Sequence, residues 1–212
     1  MSALRRLVVA TRSAHKLREL RDLLELRDTE LVSLDELGVA GEPVEDAATF
    51  EGNAAKKARW AVRATGLPAL ADDSGIEVDA LNGAPGVRTR RYAGEQATDD
   101  DNNRKLLVAL EGLPADRRGA RYVCVLALTL PGSAGSRGGL QVVTRRGIVR
   151  GRIASEPRGA GGFGYDPIFE PAAELPGGRT FGLWSAQEKD AVSHRALAAR
   201  RMRPVLDGLG FR

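Results

Sequence analysis

Cysteine, histidine and aromatic residues are all scarce in this chain of 212 residues, with aromatics at 5%. The single cysteine, Cys124, excludes a disulfide within one chain and a metal site built from several thiolates. Because Cys124 lies in an apolar stretch, we expect a buried structural thiol. No apolar run reaches the roughly 20 residues that span a membrane, and the first residues lack the apolar core of a signal peptide. These absences favour a cytoplasmic protein with no membrane partner.

Charge of one sign is not concentrated in any part of the chain. Lysine and arginine total 32 against 28 aspartates and glutamates, a net charge of +4, and the basic residues recur in short groups between acidic stretches. A nucleic-acid-binding module usually carries its basic residues on one face, so we expect no nucleic-acid partner. The hydrophobic content of 42% is that of an ordinary globular protein. The length suits a single domain of two joined lobes over residues 1–212.

Hydrophobic periodicity and turn residues predict a mixed α/β fold. We expect helices over residues 14–26, 49–65, 99–110 and 193–206. Strands are expected over residues 4–10, 30–34, 69–71, 120–130 and 140–153, with an extended segment over 76–81. The two long strands are predicted to be antiparallel neighbours joined by a Gly/Ser-rich segment over residues 131–139. Helices and strands alternate only early in the chain, which indicates a mixed sheet and not a purely parallel one.

A cationic helix start follows the first predicted strand. The first turn of a helix prefers acidic residues because its N–H groups carry partial positive charge, yet this one holds His15 and Lys16, with Arg12 just before it. Ser13 is a candidate N-cap. An oligophosphate bound here would accept hydrogen bonds from the N–H groups and pair with the lysine. A solvated basic helix start is the alternative.

Two adjacent aspartates, Asp72 and Asp73, follow a short apolar segment and precede Ser74. Neighbouring residues of a strand point to opposite faces, so only one carboxylate is expected to face a cleft. Such an acid is a candidate Mg²⁺ ligand or general base, and the acidic segment 42–51 could supply a second carboxylate. The alternative is a turn whose aspartates cap their own backbone.

A glycine-rich segment over residues 159–164 has the spacing of a dinucleotide fingerprint. Pro167 opposes the helix that this fingerprint needs, and no phosphate-loop lysine follows the glycines. We therefore predict a loop in which Phe163 and Tyr165 stack on a base while Asp166 accepts a ring N–H. A turn that simply buries the two aromatics is the alternative.

A second cationic helix start is predicted near the C-terminus. Ser193 is a candidate N-cap, and the two residues that follow it are His194 and Arg195. The two histidines of the chain thus both occur at helix starts that would normally hold acids. An exposed surface helix is the alternative.

Six segments, in this order, resemble the inosine triphosphate pyrophosphatases, also called XTP/dITP diphosphatases. The resemblance covers almost the whole chain. The matching motifs are Val9-Ala10-Thr11 with Lys16 and Glu19, then Thr49-Phe50-Glu51 with Asn53, Ala54, Lys57 and Ala58, then Ala71-Asp72-Asp73-Ser74-Gly75, then Gly83-Ala84-Pro85-Gly86-Val87, then Gly161-Gly162-Phe163-Gly164-Tyr165-Asp166-Pro167, and finally Glu188-Lys189 with Ser193-His194-Arg195.

The resemblance implies an enzyme that uses Mg²⁺ to hydrolyse ITP, dITP and XTP to the monophosphate and pyrophosphate, cleansing the nucleotide pool. It implies an elongated α/β fold, a mixed sheet with flanking helices and two lobes around a central cleft, in a homodimer. Asp73 and Lys16 are the implied catalytic residues, and Asp73 and Glu45 the implied metal ligands, with Glu42 as the fallback for Glu45. The implied substrate-binding residues are Thr11, Arg12, Ser13, Ala14, His15, Lys16, Lys57, Ser74, Phe163, Gly164, Tyr165, Asp166, Lys189, His194 and Arg195.

Base selection is expected to depend on the six-position of the purine. The resemblance lets donors of His194 and Arg195 pair with the six-carbonyl of inosine or xanthosine, whereas the amino group of adenosine would leave those donors facing a donor. Two other hypotheses stay open: a pyrophosphatase for modified pyrimidine or methylated nucleotides, and a nucleic-acid-binding module. A catalytically inactive scaffold is disfavoured because Lys16, Lys57 and Asp73 are all present.

Three positions depart from the family's pattern. Ser13 stands where the family often has asparagine, and Gly52 stands where an acid is common. Arg88-Thr89-Arg90 replaces an aromatic-and-small-residue pattern. We expect weaker binding from the serine and no loss of a catalytic group.

Overall fold

The computed structural model describes residues 4–132 and 140–212. Within these ranges, the strands are β1 (Arg5–Val9), β2 (Thr29–Ser33), β3 (Ala69–Val78), β4 (Gly119–Thr129), β5 (Val142–Ile153) and β6 (Phe169–Pro171). The helices of the same ranges are α1 (Ala14–Leu24), α2 (Phe50–Thr65), α3 (Asp99–Ala109), α4 (Ala186–Val192) and α5 (His194–Gly208). Short 3-10 turns include Asp79–Leu81, Gly86–Arg91 and Asp166–Ile168.

The strands form one sheet in the order β2-β1-β3-β4-β5-β6. β1 pairs in parallel with both β2 and β3, whereas β5 pairs with β6 in the antiparallel sense. The predicted mixed α/β fold is therefore confirmed, as is the adjacency of the two long strands β4 and β5. The Gly/Ser-rich segment predicted at residues 131–139 falls mostly outside the described residues.

The chain divides into two compact units. The first contains Met1–Asp73, Cys124–Gly147 and Arg195–Arg212, and the second contains Ser74–Val123 and Ile148–His194. The unit boundaries fall inside β3, β4 and β5, so each of these strands has residues in both units.

The core of the first unit is a mainly aliphatic cluster built from β1, α1, β2, β3, β4 and α5. Every third or fourth residue of α1 contributes, since Leu20 and Leu24 are fully buried and Leu17 packs beside them. Full burial of one such leucine stabilises the fold by about 2 kcal/mol. Cys124 is fully buried in this cluster, as its apolar flanks predict.

The core of the second unit combines aliphatic residues of β3, α3 and β4 with a group of aromatic rings. The ring centroids of Tyr122 and Phe169 are 4.7 Å apart, and those of Phe169 and Phe181 are 5.2 Å apart. Tilted ring pairs at such distances add attraction beyond their burial. Four of the chain's ten aromatic side chains, Tyr122, Tyr165, Phe169 and Phe181, are thus buried in this core.

β3 differs from its prediction because it runs without interruption through the two aspartates. The sequence predicts a strand over residues 69–71 followed by a turn, but β3 has 10 residues and includes Asp72 and Asp73. Residues 79–81, predicted to be extended, form a 3-10 turn. The aspartates remain in a buried strand because each has a lysine partner, so the turn alternative is wrong.

The helix ends also differ from the prediction. α1 stops at Leu24 because Glu25 adopts the left-handed conformation at φ 43°. α5 continues to Gly208 in spite of Pro204. α4 is not predicted, although Ser185 and Glu188 form a capping box at its start.

No helix in the described part of the chain is long and apolar enough to cross a membrane.

Candidate active site

Two lysine–aspartate pairs lie in the first unit, at consecutive residues of β3. Lys16 Nζ of α1 lies 3.0 Å from Asp72 Oδ1, and Lys57 Nζ of α2 lies 2.8 Å from Asp73 Oδ1. The neighbouring carboxylates contact helices from different parts of the chain, as expected when adjacent strand residues point to opposite faces. The structure therefore brings together Lys16, Lys57 and Asp73 in one unit.

Asp72 is the more deeply buried of the two acids, with a side chain that is 0% exposed. Burial alone would raise its pKa, but the charges of Lys16 and Arg195 outweigh burial and lower it. Arg195 Nη2 lies 3.2 Å from Asp72 Oδ2, and the Cys124 thiol donates weakly to the same oxygen. With cations on both oxygens, Asp72 is an anchor for α1 and α5.

Asp73 has a different environment. Its Oδ2 atom is buried without a hydrogen-bond partner in the described part of the chain. Burial raises the pKa of Asp73 above its ordinary value, and the nearby Lys57 ammonium opposes this only in part. A carboxylate with one oxygen left over can accept a proton from water or bind a cation.

Lys57 joins Asp73 to a second carboxylate. Its Nζ lies 3.3 Å from Glu45 Oε1. Burial would lower the pKa of Lys57, but the carboxylates of Asp73, Asp72 and Glu45 raise it, so the side chain is an ammonium. Glu42 instead lies 3.2 Å from Arg12 Nε. Glu45 is thus the acid of this segment that lies with Asp73.

The residues present fit a Mg²⁺ ion bound with a phosphate. No cluster of three or more His, Cys, Asp or Glu residues suited to a metal occurs among the described residues. Mg²⁺, however, is commonly held by one or two carboxylates together with substrate phosphates and water. Asp73 and Glu45 supply two hard oxygen donors beside the same lysine, and Asp73 Oδ2 lacks a partner in the described residues.

The start of α1 has the geometry of an anion-binding helix end. Ser13 is the N-cap, and its hydroxyl accepts from the Lys16 N–H, so the serine caps as expected. The first turn has no acid, and Thr11 Oγ1 accepts from the Ser13 N–H at 3.2 Å. The exposed His15 ring lies beside Arg18, with Nδ1 and Nη2 2.9 Å apart.

Arg12 holds the acidic segment that follows β2. Its Nη2 donates to the carbonyls of Val39 and Gly41 at 2.8 and 2.7 Å, and its Nη1 pairs with Asp35. The predicted substrate contact of Arg12 would compete with these bonds.

The segment that carries Glu45 is fixed at the start of α2. Asn53, only 1% exposed, accepts from the Ala47 N–H through Oδ1 at 2.9 Å. A Cβ at Gly52 would lie 2.7 Å from the Ala47 Cβ. The departure at Gly52 therefore makes room for this segment, and an acid at this position would displace it.

In the second unit, a buried carboxylate organises the glycine-rich loop. Asp166 Oδ2 accepts from Lys189 Nζ at 2.6 Å and from the Phe163 N–H at 2.9 Å. Its Oδ1 accepts from the Tyr122 hydroxyl at 3.2 Å. Gly162, at φ +74°, is required here because a Cβ would lie 2.0 Å from Asp166 Oδ2. A base N–H would have to compete with these internal donors.

The two loop aromatics have different exposures. Tyr165 is 4% exposed, and its hydroxyl donates to the Thr89 carbonyl at 2.7 Å. Phe163 is partly exposed, and Lys189 Nζ lies 4.7 Å from its ring centre. Phe163 is therefore the candidate for base stacking. Thr89 has a structural role, while nothing in the structure explains the exposed Arg88 and Arg90.

His194 and Arg195 are adjacent in sequence but belong to different units. The His194 ring stacks on Tyr122 with centroids 4.6 Å apart and an interplanar angle of 7°. Arg195 is 1% exposed, and its guanidinium binds Asp72 and Glu19. Burial would lower the pKa of Arg195, but Asp72 raises it. The structure thus places Arg195 in an internal ion-pair network.

A family model described as the Ham1 family matches residues 7–205. The chain belongs to the Ham1 family. It is 48% identical over 206 residues to the dITP/XTP pyrophosphatase of Mycolicibacterium paratuberculosis, with 96% of each chain covered. It is 47% identical over 201 residues to that of Syntrophobacter fumaroxidans, covering 95% of this chain and 82% of the relative. A solved HAM1 protein from Coxiella burnetii matches with a TM-score of 0.84 at 40% identity, covering 97% of this chain and 100% of the other.

Membership of the Ham1 family confirms the resemblance read from the six motifs. The sequence alone gives no role to Glu19, Asn53 or Tyr122. In the structure, Glu19 contacts Arg195 and Asn53 holds the segment that carries Glu45. Tyr122 donates to Asp166. Glu19 lies one helical turn after Lys16, and this spacing places the two side chains on the same face of α1 and could have indicated a role for Glu19. Tyr122 has no such signal, because a tyrosine in an apolar strand is ordinarily a core residue.

Proposed function

We propose that this Ham1-family chain is a nucleoside triphosphate pyrophosphatase that hydrolyses ITP, dITP and XTP to the monophosphate and pyrophosphate. The observation that carries the proposal is the set of charges on β3 and its helices: Asp73, with one oxygen that has no partner in the described residues, lies beside Lys57 and within the same unit as Lys16. The names of the relatives, dITP/XTP pyrophosphatases, support the substrate class.

In the proposed reaction, Asp73 accepts a proton from a water molecule. The water oxygen forms a bond to the α-phosphorus, and the bond from that phosphorus to the oxygen leading to the β-phosphate breaks. Lys16 and Lys57 attract the negative charge that develops on the departing pyrophosphate.

Asp73 and Glu45 would hold Mg²⁺. When bound, the ion would neutralise phosphate oxygens of the substrate. The N–H groups at the start of α1, with the side chains of Thr11 and Ser13, would bind phosphate oxygens. Because these groups are fixed by the Ser13 cap, binding would require little reordering of the helix end.

The base is proposed to contact the glycine-rich loop and the start of α5. Phe163 would stack on the purine, the Gly164 backbone would lie beside it, and His194 would donate to the six-carbonyl. Adenosine carries an amino donor in place of that carbonyl, and mismatched buried donors can discriminate by up to roughly 10⁴–10⁵. Arg195 would act through Asp72, which also contacts Lys16, since its guanidinium is already engaged.

The remaining predictions concern the cellular setting. The homodimer, the cytoplasmic location, the cleansing role and the absence of a nucleic-acid partner remain proposals. Analytical ultracentrifugation of the purified chain tests the dimer, and salt-dependent duplex binding tests the nucleic-acid alternative.

Pyrophosphate release tests the proposed function directly. Purified protein is offered ITP, dITP, XTP, GTP, ATP, dUTP and a modified pyrimidine triphosphate, with and without Mg²⁺, and pyrophosphate is measured in a coupled assay. We expect ITP, dITP and XTP to have the highest kcat/KM and to require Mg²⁺. Equal kcat/KM for ITP, XTP and dUTP would show that the substrate assignment is wrong.

Asp73→Asn is the variant that tests the catalytic assignment. We expect pyrophosphate release to be lost while the circular dichroism spectrum is retained. Asp22→Asn, an exposed position on α1, removes the same charge from the chain and serves as the matched control. Equal activity of the two variants would remove Asp73 from the mechanism.

A further inference from the structure

Two buried asparagines interrupt the apolar face of α3. Asn102 and Asn103 are 2% and 5% exposed. Asparagine is a poor residue for a helix interior, and a buried amide is costly unless it is hydrogen-bonded. Both side chains have partners outside α3, so their positions are explained by what they hold.

Asn103 and Asp99 hold the same residue of the glycine-rich loop. Asn103 Nδ2 donates to the Gly164 carbonyl at 3.0 Å, and Asp99 Oδ2 accepts from the Gly164 N–H at 2.7 Å. Asp99 and Asn103 are four residues apart and so lie on one face of α3. Both backbone polar groups of Gly164 are therefore bound by side chains of one helix.

The backbone of Gly164 is not held in place by side-chain packing. Gly164 has φ +64° and an open space where a Cβ would be, so packing does not fix its conformation. Its neighbours Phe163 and Tyr165 point in directions set by this backbone. The two hydrogen bonds from α3 therefore act together with the Asp166 contact to the Phe163 N–H in orienting the part of the loop that carries Phe163.

Asn102 supports the same loop from its other side. Its Nδ2 donates to the Arg90 carbonyl at 3.0 Å, and its Oδ1 accepts from the Ala93 N–H at 2.8 Å. These bonds fix the turn Gly86–Arg91, whose Thr89 carbonyl accepts from the Tyr165 hydroxyl. α3 thereby holds the glycine-rich loop in two ways. It binds Gly164 directly, and through Asn102 it fixes the turn Gly86–Arg91, which contacts Tyr165.

We propose that Asp99 and Asn103 are positioning residues that set purine specificity by fixing the Gly164 backbone. This inference rests on the proposed function, in which the loop of Phe163 and Gly164 contacts the base. Neither residue belongs to the charged groups of the first unit, so their loss leaves the phosphate chemistry in place. Misplacement of the loop instead weakens binding of the base and reduces the preference for a six-oxo purine.

The first test compares Asp99→Ala with Asp100→Ala. Both variants remove one acid from the first turn of α3, but only Asp99 binds Gly164, and both side chains are exposed, so both variants should fold. We expect Asp99→Ala to raise KM for ITP about three- to tenfold, the effect of one lost hydrogen bond, with a smaller change in kcat. The ratio of kcat/KM for ITP over ATP should fall by a similar factor, because adenine carries an amino group where hypoxanthine has the six-carbonyl. Asp99→Asn keeps an acceptor oxygen and should restore most of the loss.

A second measurement does not depend on activity. Hydrogen exchange of the peptide that contains Phe163 and Gly164 should be faster in Asp99→Ala than in Asp100→Ala, because the protected Gly164 N–H loses its acceptor. Asn103→Ala should accelerate exchange in the same peptide.

The outcomes separate this inference from the proposed function. Equal exchange, equal KM and an equal ITP-to-ATP ratio in Asp99→Ala and Asp100→Ala would overturn the positioning role. If exchange accelerates in Asp99→Ala but the ITP-to-ATP ratio is unchanged, the specificity role is overturned. If the wild-type protein releases no pyrophosphate from ITP or XTP, the proposed function fails, and with it the specificity role.

Discussion

The ammonium of Lys57 lies 2.8 Å from Asp73 Oδ1 and 3.3 Å from Glu45 Oε1. One buried cation thus joins two carboxylates that are far apart in sequence. Removing the charge of Lys57, Asp73 or Glu45 changes the electrostatic interactions of the other two side chains. Double-mutant cycles can therefore measure the coupling energy between them.

Lys57→Met should lower the free energy of unfolding by about 3 kcal/mol, because it leaves the buried Asp73 carboxylate without its cation. The double variant Lys57→Met/Asp73→Asn should lose at least about 1 kcal/mol less than the sum of the single variants. Pyrophosphate release should be lost in all three. Urea unfolding at pH 7 measures the cycle, and strictly additive losses would mean that the pair is not coupled.

Glu45→Gln should raise the Mg²⁺ concentration that gives half-maximal pyrophosphate release, because one of the two proposed carboxylate ligands is lost. Glu42→Gln is the matched variant from the same segment, and its carboxylate contacts Arg12 instead. We expect an increase of about tenfold for Glu45→Gln and a much smaller one for Glu42→Gln. Mg²⁺ titration of initial rates decides between the two acids, and the reverse order would move the proposed ligand to Glu42.

Gly162→Ala should be more damaging than Gly164→Ala. Both glycines have positive φ, so both variants carry the same kind of backbone strain, about 1 kcal/mol. Only at Gly162 would the new methyl also meet the Asp166 carboxylate, at 2.0 Å. We expect the greater loss of thermal stability at Gly162. Differential scanning calorimetry of the two proteins gives the comparison, and equal losses would show that the Asp166 contact is relieved at no cost.

The capping box of α4 should make stability depend on pH in the acid range. The Ser185 N–H and the Arg179 guanidinium lower the pKa of Glu188 to about 2, against about 4.3 for an unfolded glutamate. A lowered carboxylate pKa stabilises the fold above the unfolded value, and this stabilisation is lost as pH falls toward the folded value. The Tm of the wild-type protein should exceed that of Glu188→Gln at pH 6, and the difference should shrink between pH 4 and pH 3. A constant difference over this range would contradict the assignment.

The Cys124 thiol should be unreactive in the folded protein. Burial, followed by the nearby Asp72 charge, raises the pKa of Cys124 to about 12, so little thiolate is present near pH 8. A thiol reagent such as dithionitrobenzoate should label much less than one equivalent in native protein and one equivalent in denaturant. Rapid labelling without denaturant would show that β4 opens at this position.

Much of the candidate site can be predicted from the sequence because its motifs are local. Ser13 caps α1 as predicted, since a cap depends only on residues within one turn. The pairing of Asp72 with Lys16 and of Asp73 with Lys57 is not predictable, because it depends on how β3 lies between two helices. The same is true of Arg195, which the resemblance implies as a substrate-binding residue but whose side chain is buried against Asp72 and Glu19.

The sequence by itself determined the family, the mixed α/β fold and most of the helices and strands, though not α4 or β6, because hydrophobic periodicity and short motifs encode them. Only the tertiary structure decided which charged side chains form internal ion pairs and which keep an atom available to bind a ligand or accept a proton. Asp72 has cations on both oxygens, whereas Asp73 keeps one oxygen without a partner in the described residues. Two identical side chains at adjacent positions differ in this way because opposite faces of one strand meet different neighbours.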